Sequence, residues 1–409
     1  MSDYACTAPT ATTTILPTDN AISDPVSMPD IATLDIAVIA DTGKLPQPMT
    51  PPILKARYKT VATDFVVNEI LPNTFTGAGE HLWLHIQKMG MNTAYLAKLL
   101  AEWADIPLRD VGYSGLKDRH ALTTQWFSLR IPKKQLPPTT FTPINLGDDE
   151  TVTVLAQHWH HKKLGRGAHQ ANQFTITLRD VQLADDILET EQQLIAEQKI
   201  AQYLENMSQR GVPNYFGPQR FGHGGNNIKE ALRLFAELPK NKVKNKRKRA
   251  PAEHHTMALS AARSLIFNEI LAMRVRNGSW NTGIAGEVFN LNGSGSIFAS
   301  EQMDDNLRTR LLEGDIHPTA VLWGVGNDKV SGKAAALENT VVQQDPVLMQ
   351  LATGLIQRDI KAQRRALRLP IENLTWEWQD AQTLILRFCL PTGSFATSVL
   401  AALVQQLHL

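Results

Sequence analysis

The chain has 409 residues but only two cysteines, Cys6 and Cys389, which stand far apart in the sequence. Two thiols cannot supply a disulfide framework or a four-thiolate zinc site, so we expect a protein of a reducing compartment, the cytoplasm. The sequence also lacks an uninterrupted apolar run of about 20 residues, and no Lys or Arg precedes Lys44. We therefore expect neither a membrane-spanning helix nor a secretory or transit peptide.

The common nucleotide-binding and hydrolase motifs are missing as well. We find no P-loop, GxGxxG, GxSxG, HExxH or CxxC pattern, which disfavours nucleotide hydrolysis, dinucleotide redox chemistry and serine-hydrolase chemistry. A group of histidines could suggest a metal site, but cations stand among them and oppose a metal ion, so a basic RNA-facing surface is the favoured interpretation. The histidines are His158, His160, His161 and His169, and the cations are Lys162, Lys163 and Arg166.

Charge is unevenly distributed along a chain whose formal net charge is only +1. Residues 1–50 carry six Asp, no Glu and one Lys, a sum of −5, which leaves about +6 for residues 51–409. Because residues 1–50 are rich in Thr and Pro and lack periodicity, we expect an acidic tail that is disordered. A second distinctive stretch, KNKVKNKRKR at 240–249, has seven basic residues in ten and is expected to be a mobile loop.

The periodicity of the remaining sequence predicts an α+β fold. Strand-like alternation predicts an antiparallel sheet between residues 55 and 181, with one helix over residues 93–103 that Thr93 would cap. A long amphipathic helix over residues 185–210 ends at Gly211 and Pro213. Helical and mixed texture follows to about residue 370, then strand alternation returns at 375–391 before a terminal helix from Ser394. A sheet interrupted by an inserted domain would produce this order.

Two segments have the composition of functional sites. In NYFGPQRFG at 214–222, aromatic residues alternate with Arg220 and glycines, which suits RNA stacking and phosphate approach, and equally suits a tight turn with core rings. In GYSGLKDRHALTTQW at 112–126, Asp118 follows a Gly-rich turn and stands between two cations that would keep it ionised. An ionised Asp serves as nucleophile or general base, although for an arbitrary KDR triplet a turn Asp bonded to its own backbone is the commoner role.

These and other segments resemble the TruD family of tRNA pseudouridine synthases. The resemblance covers about residues 51–409 in collinear order, and residues 1–50 have no counterpart in the family pattern. It rests on DFVVNE at 64–69, GEHLWLHIQKMGMNT at 79–93, SGLKDRHALTTQW at 114–126, NQFTITLRDV at 172–181, VPNYFGPQRFG at 212–222, LSAARSLIFNEI at 259–270 and PTGSFATSV at 391–399.

The resemblance implies roles for individual residues. Asp118 matches the catalytic aspartate of the family's GxKDxxAxTxQ stretch, and Lys59 is placed similarly to the basic residue that pairs with it, through a looser local match. The family's target-base pocket corresponds to Phe65, Asn172, Phe174 and Phe395. We add candidates for contact with the RNA backbone from the basic composition itself: Lys162, Lys163, Arg166 and Arg220.

The family also implies an architecture and an activity. We expect a pseudouridine-synthase domain with a mixed or antiparallel sheet over residues 51–210 and 370–409, and an inserted α/β TRUD domain over residues 211–369. The implied activity is isomerisation of uridine to pseudouridine at uracil-13 of tRNA, which requires no cofactor and no metal. We also expect the protein to be a monomer. The alternatives are a non-catalytic RNA-binding or chaperone protein on the same scaffold and another RNA-modifying enzyme, such as a methyltransferase, which the missing Gly-rich nucleotide loop disfavours.

Overall fold

The structure is a computed structural model that describes residues 36–72, 75–132, 140–141, 147, 149–183, 190–236 and 253–409. The predicted loop at 240–249 and residues 1–35 of the predicted tail lie outside the described residues. Among the described helices, none combines the length and the apolar character that crossing a membrane requires.

The first half of the chain is built mainly from strands. Its elements are α1 (Ile36–Ile39), β1 (Ile53–Arg57), β2 (Phe65–Ile70), β3 (His81–Met89), α2 (Thr93–Trp103), β4 (Val111–Tyr113), β5 (Leu122–Arg130), β6 (Thr151–His160), β7 (Ala171–Leu183), α3 (Thr190–Arg210) and β8 (Val212–Pro213).

The second half begins with helices and returns to strands. Its elements are α4 (Asn226–Ala236), α5 (Glu253–Arg276), β9 (Val288–Leu291), β10 (Ile297–Ala299), α6 (Asp305–Glu313), β11 (Ile316–Leu322), α7 (Gly332–Gln344), α8 (Pro346–Gln357), β12 (Gln363–Ala366), β13 (Arg368–Leu369), β14 (Glu372–Asp380), β15 (Thr383–Pro391), α9 (Ala396–Leu403) and β16 (Val404–His408).

A large mixed sheet organises the molecule and confirms the predicted α+β class. Within the described residues it follows the order β14-β15-β7-β2-β5-β3-β6, with β1 joining β7 to β16 and β4 pairing with β5. Most pairs are antiparallel, but β2 pairs with β5 and β1 pairs with β16 in parallel. The late strands β14 and β15 therefore complete a sheet that the early strands begin.

The register of this sheet places the pocket residues on one face. In β2, burial alternates along FVVNEI, so that Phe65, Val67 and Glu69 point to the same side. The antiparallel pairing sets Val67 opposite Phe174 and Glu69 opposite Asn172. Because residues directly opposite each other in a sheet share a face, all of these side chains lie on the same surface. Next to it, α3 and α9 contribute to a hydrophobic core with β7 and β15, and α2 packs on β3 and β5.

The helical part between β8 and β13 has its own core. Helices α4, α5, α7 and α8 pack around β11, and a smaller sheet of β10, β9, β11 and β12 adjoins them. The chain leaves at β8 and returns at β13, and these two short strands pair with each other, with Val212 opposite Leu369. The two ends of this part therefore lie side by side.

Three local details differ from the sequence-based predictions. The N-cap of α2 is Asn92, whose side chain accepts from the amide of Ala94, because the Thr93 hydroxyl is used elsewhere. The terminal helix stops at Leu403, since the following residues form β16 by pairing with β1. Residues 36–50 differ from the predicted tail, because they include α1, where Ile36 is buried in the core of the helical part.

Candidate active site

The turn that carries Asp118 connects β4 to β5. In β4, just before this turn, the backbone is packed closely at Gly112, where a Cβ would lie 2.4 Å from the carbonyl oxygen of Leu164 and 2.6 Å from Ser128 Oγ. Only a residue without a side chain allows the two segments to approach in this way. At the end of the turn, the amide of His120 donates to Asp118 Oδ1 at 2.9 Å. Asp118 thus makes the hydrogen bond to a nearby backbone amide that is common for Asp in turns, but this bond uses only one of its two carboxylate oxygens.

The second carboxylate oxygen of Asp118 accepts from Lys59, with Nζ and Oδ2 2.5 Å apart. The Lys59 side chain is 7% exposed and that of Asp118 is 29% exposed, so the lysine closes the inner side of the pair while the carboxylate keeps an open side. Lys59 has a φ of 57°, an unusual value for a residue with a side chain. Such backbone strain is maintained only where the surroundings over-determine it, as at functional sites. The structure thus brings together the two residues that the resemblance paired.

The electrostatic surroundings keep Asp118 ionised. Burial by itself raises the pKa of the carboxyl group, but the hydrogen bond from Lys59, the amide of His120 and the Lys59 charge together bring the pKa below its usual value. The pKa of the neighbouring Tyr58 hydroxyl is raised, mainly by burial and further by the charge of Asp118. A charged Asp118 at neutral pH follows, and its open side faces a cavity.

This cavity has a volume of about 550 Å³ and lies between the sheet and the start of α9. All the residues that the sequence assigned to catalysis and to the base pocket line it, namely Lys59, Phe65, Asp118, Asn172, Phe174 and Phe395. The rings of Phe65 and Phe174 meet edge to face, with centroids 6.0 Å apart. Lys59 Nζ lies 4.3 Å from the centroid of Phe65, so that the ring shields the ion pair from solvent on one side.

A buried polar network beneath the cavity was not predicted from the sequence. Lys117 Nζ donates to Glu69 Oε1 at 3.1 Å and to Asn172 Oδ1 at 2.6 Å. Glu69 is fully buried and also accepts from the amide of Trp126 at 2.9 Å. His169 contacts Asn172 through Nε2 at 3.2 Å and Ser114 Oγ through Nδ1 at 2.5 Å. A signal was available, because Glu69 occupies the buried phase of an otherwise apolar strand face.

Lys88 is a second buried cation that the sequence analysis missed. It is fully buried, and its Nζ donates to the backbone carbonyls of Met91 at 2.8 Å and Asp118 at 3.1 Å. Burial lowers the pKa of Lys88 to about 8, with Asp118 opposing this effect and Lys117 adding to it. The signal here was the same as for Glu69, since Lys88 continues the buried series Leu82, Leu84, Ile86. Lys88 therefore connects the main chain of the turn that carries Asp118 to the end of β3.

The proposed contacts to the RNA backbone have different surroundings. Lys162, Lys163 and Arg166 are exposed on the segment between β6 and β7, which also carries the cavity residue His169. Arg220 is half-buried instead: its guanidinium donates to Ser260 Oγ at 3.0 Å and lies 5.0 Å from the Phe216 ring centroid and 5.9 Å from that of Phe395. Contact of these four residues with RNA stays a prediction.

Two open questions from the sequence have structural answers. The rings of Tyr215, Phe216 and Phe221 are buried in the core of the helical part, so the tight-turn interpretation of 214–222 holds for them. The histidines do not form one cluster, since His158 stacks on Phe75 at 4.4 Å whereas His169 belongs to the buried network. Across the described part of the chain, no three His, Cys, Asp or Glu side chains are arranged to hold a metal ion.

Comparison with known proteins finds relatives that cover most of the chain. A family model described as tRNA pseudouridine synthase D (TruD) matches residues 50–231 and 229–403. A protein named tRNA pseudouridine synthase D from Psychrobacter arcticus is 68% identical over 387 residues, covering 91% of this chain and 96% of the relative. The protein of the same name from Xanthomonas campestris is 40% identical over 372 residues, covering 88% of this chain and 95% of the relative.

A solved structure has the same fold. A crystal structure described as that of a tRNA pseudouridine synthase D (TruD) from Methanosarcina mazei aligns with a TM-score of 0.62 and 22% sequence identity. The alignment covers 88% of this chain and 96% of that chain, so the similarity extends over both the sheet and the helical part.

Proposed function

The chain belongs to the TruD family of tRNA pseudouridine synthases, and we propose that it isomerises uridine to pseudouridine in tRNA, at uracil-13, with Asp118 as the catalytic carboxylate. One observation carries the proposal beyond family membership. The cavity of about 550 Å³ gathers an ionised carboxylate, its lysine partner, phenylalanine rings and an amide from four separate regions of the chain. These groups suit the detachment, rotation and reattachment of a uracil.

The reaction breaks the N1–C1′ bond of uridine, turns the detached uracil and joins C5 to C1′, after which C5 loses its proton. Bonds and electrons balance without an oxidant or reductant. A carboxylate contributes either by attacking the sugar carbon or by removing a neighbouring proton while the glycosidic bond opens, and both routes need it ionised. Lys59 keeps Asp118 in that form and leaves one side of the carboxylate open to the cavity.

The cavity walls suit a base that must be held and turned. Extrusion of a base from its stack costs a few kcal/mol, which the pocket has to offset. Stacking on an aromatic ring contributes about 1–3 kcal/mol per base and permits rotation about the stacking axis. We assign this role to Phe65, Phe174 and Phe395, and we assign recognition of the uracil edge to Asn172.

The wider surface and the domain division complete the proposal. We propose that Lys162, Lys163 and Arg166 contact the RNA backbone, since they are exposed on the segment that leads to His169 at the cavity. We propose the same contact for Arg220, whose guanidinium lies 5.9 Å from the ring centroid of the cavity residue Phe395. We further propose that residues 51–210 and 370–409 form the catalytic domain, that residues 211–369 form the inserted TRUD domain, and that the enzyme acts as a cytoplasmic monomer.

Product analysis of modified tRNA tests the function. Unmodified tRNA transcripts tritiated at uridine C5 are incubated with the protein, and tritium release, digested nucleosides and the modified position are measured. We expect tritium release, pseudouridine and no C5-methyluridine, with the product at position 13. Absence of release supports a non-catalytic RNA-binding protein, C5-methyluridine indicates a methyltransferase, and pseudouridine at another position overturns the assigned target only.

A further inference from the structure

The side-chain amide of Asn172 lies between two hydrogen-bonding groups, one at its oxygen and one at its nitrogen. Its Oδ1 is 2.6 Å from Lys117 Nζ, and its Nδ2 is 3.2 Å from His169 Nε2. An asparagine amide turned by 180° has nearly the same shape, so its orientation depends on the hydrogen-bonding partners. The chemistry of these two partners therefore decides which way the amide of Asn172 points.

Lys117 decides the orientation, because an ammonium group only donates hydrogen bonds. A turned amide would place Nδ2 against Lys117 Nζ, where two donors would face each other at 2.6 Å. His169 cannot impose the opposite choice, since a neutral imidazole adapts its tautomer to its neighbours. With Oδ1 held by Lys117, His169 accepts from Asn172 through a bare Nε2 and carries its proton on Nδ1, toward Ser114 Oγ at 2.5 Å.

Lys117 forms an ion pair with a fully buried carboxylate. Glu69 Oε1 accepts from Lys117, and Glu69 Oε2 accepts from the amide of Trp126 in β5. The side chain of Lys117 is only 6% exposed, so its contacts are shielded from competing water. Burial, with the Lys117 charge, also lowers the pKa of His169, although Glu69 opposes this, and a neutral His169 is the form that can accept from Asn172. The network is anchored on β2, β5 and β7 and has little freedom to rearrange.

We propose that Lys117 is a positioning residue that fixes the amide orientation of Asn172 and thereby makes the pocket select uracil over cytosine. This inference rests on the proposed function and deepens it. Uracil presents O4 as an acceptor beside N3–H as a donor, whereas cytosine presents an N4 donor beside an N3 acceptor. One amide orientation matches uracil and the turned orientation matches cytosine, and Asn172 retains a second N–H and a second oxygen lone pair for such a contact.

The test compares affinities for uridine and cytidine in the pocket. Asp118→Asn serves as the background in every protein, so that no reaction occurs during the measurement. The RNAs are tRNA transcripts with uridine or cytidine at the position that product analysis identifies, each with 2-aminopurine as the neighbouring nucleotide. Because 2-aminopurine fluoresces more strongly when its neighbour leaves the stack, titration of the protein reports entry of the base into the pocket.

Three variants separate positioning from general stability. Lys117→Arg keeps a group that only donates, and Lys117→Met with Glu69→Gln removes the lysine without leaving a buried unpaired carboxylate. Lys117→Gln offers either an oxygen or a nitrogen to Asn172 and is the second route if the double variant does not fold. Thermal unfolding of each protein is measured alongside the titrations.

With Lys117 present, we expect the uridine RNA to bind at least about tenfold more tightly than the cytidine RNA, because a mismatched edge leaves buried groups unpaired. Lys117→Arg should keep most of this preference, while the double variant and Lys117→Gln should reduce it below about threefold. An unchanged preference in a folded Lys117→Gln or double variant overturns the inference, as does no preference when Lys117 is present. Tritium release by the unmutated enzyme is measured separately, so failure of the proposed function is recognised independently.

Discussion

Two lysines bind different groups of Asp118, the residue that we propose as the catalytic aspartate. Lys59 contacts the carboxylate of Asp118, whereas Lys88 contacts the backbone carbonyl of the same residue. Lys59 therefore controls the charge of the reacting group, and Lys88 controls the position of the turn that carries it. Because the two functions are separate, substitutions at the two lysines should have different consequences.

Replacement of Lys59 by Met should shift the pH dependence of the reaction. Lys59 counteracts the effect of burial on Asp118, so its removal raises the pKa of the carboxyl group. The carboxylate then protonates at a higher pH, and the acidic limb of the rate profile should move upward. Single-turnover rates between about pH 4 and pH 8 measure this shift. Lys59→Arg, which keeps the charge, should leave the acidic limb closer to its original position. Identical rate profiles for Lys59→Met and the unmutated enzyme would contradict the ion pair between Lys59 and Asp118.

Replacement of Lys88 by Met should change how stability depends on pH. The pKa of Lys88 is about 8 in the folded protein, against an ordinary value of 10.5. Between pH 8 and pH 10.5, Lys88 is therefore more protonated in the unfolded chain than in the folded protein. As the pH rises through this range, Lys88 increases the free energy of unfolding. Urea unfolding of both proteins at pH 7 and pH 10 should show the unmutated enzyme gaining up to about 3 kcal/mol relative to Lys88→Met. If the difference in free energy of unfolding between the two proteins is the same at pH 7 and pH 10, a charged, buried Lys88 is contradicted.

The sequence identified the candidate catalytic and pocket residues more readily than the buried residues that contact them. Asp118 stands in a dense motif, and the pocket residues follow from the family resemblance. The contacts of Glu69 with Lys117 and of Lys88 with Asp118 join residues that are 48 and 30 positions apart. Such contacts depend on strand register, which local periodicity does not specify. A charged residue in the buried phase of a strand was the only local sign of either one.

At the scale of elements, β4 and the turn after it contact the β6–β7 segment, and we expect this contact to position Asp118. Gly112 packs against the carbonyl oxygen of Leu164 so closely that a side chain at position 112 has no space. His169 from the same segment donates its amide to Ser114 Oγ at 2.9 Å, and Gly167 donates to the Ser114 carbonyl at 2.8 Å. The two segments therefore form one rigid support below the cavity.

Gly112→Ala should disturb this support, because the added methyl group would overlap backbone and side-chain atoms at 2.4 Å and 2.6 Å. We expect a loss of about 1–3 kcal/mol in the free energy of unfolding and a lower rate at saturating tRNA. Urea unfolding and single-turnover kinetics measure the two effects. Gly165→Ala is the matched control, since no heavy atom lies within 4 Å of its added Cβ. Equal behaviour of the two variants would show that the contact does not position Asp118.

Elements that depend on local periodicity were predictable, and those that depend on distant partners were not. Alternation predicted β3, β5 and β15, and the spacing of apolar residues predicted α2. Residues Val404–His408 extend the expected terminal helix in sequence, yet they form β16 because β1 offers a parallel edge more than 300 positions earlier. The N-cap of α2 is Asn92 rather than Thr93, because the Thr93 hydroxyl donates to Gln125 Oε1 and accepts from the Lys117 amide.

At the scale of the whole molecule, charge and topology act together. The chain beyond residue 50 carries about +6, and exposed cations lie on the segment that passes the cavity. The order of sheet, helical part and return to the sheet was visible in the sequence as a change of periodicity. The arrangement of the cavity between the sheet and α9 was not, because it depends on how β15 pairs with β7.

Binding of tRNA should depend steeply on salt, since each neutralised phosphate releases counterions. We expect the triple variant Lys162→Ser, Lys163→Ser, Arg166→Ser to reduce the slope of log affinity against log salt by up to about 2 to 3. Titrations over a range of salt concentrations measure the slope. A triple Ser variant of Lys98, Arg308 and Lys333, which are exposed and do not line the cavity, is the control. If both triple variants lose the same slope, the β6–β7 segment is not a specific RNA contact.

The single-turnover rate of Asp118→Asn tests the central claim most directly. The variant keeps the shape of the side chain and removes its charge. Because Lys59 then loses its charged partner, we expect some loss of thermal stability, so folding and tRNA affinity are measured on the same preparation. At saturating tRNA, we expect the rate of pseudouridine formation to fall by at least about a thousandfold, because the group that acts on the sugar is lost. A folded, tRNA-binding Asp118→Asn protein that forms pseudouridine within about tenfold of the original rate would contradict the account.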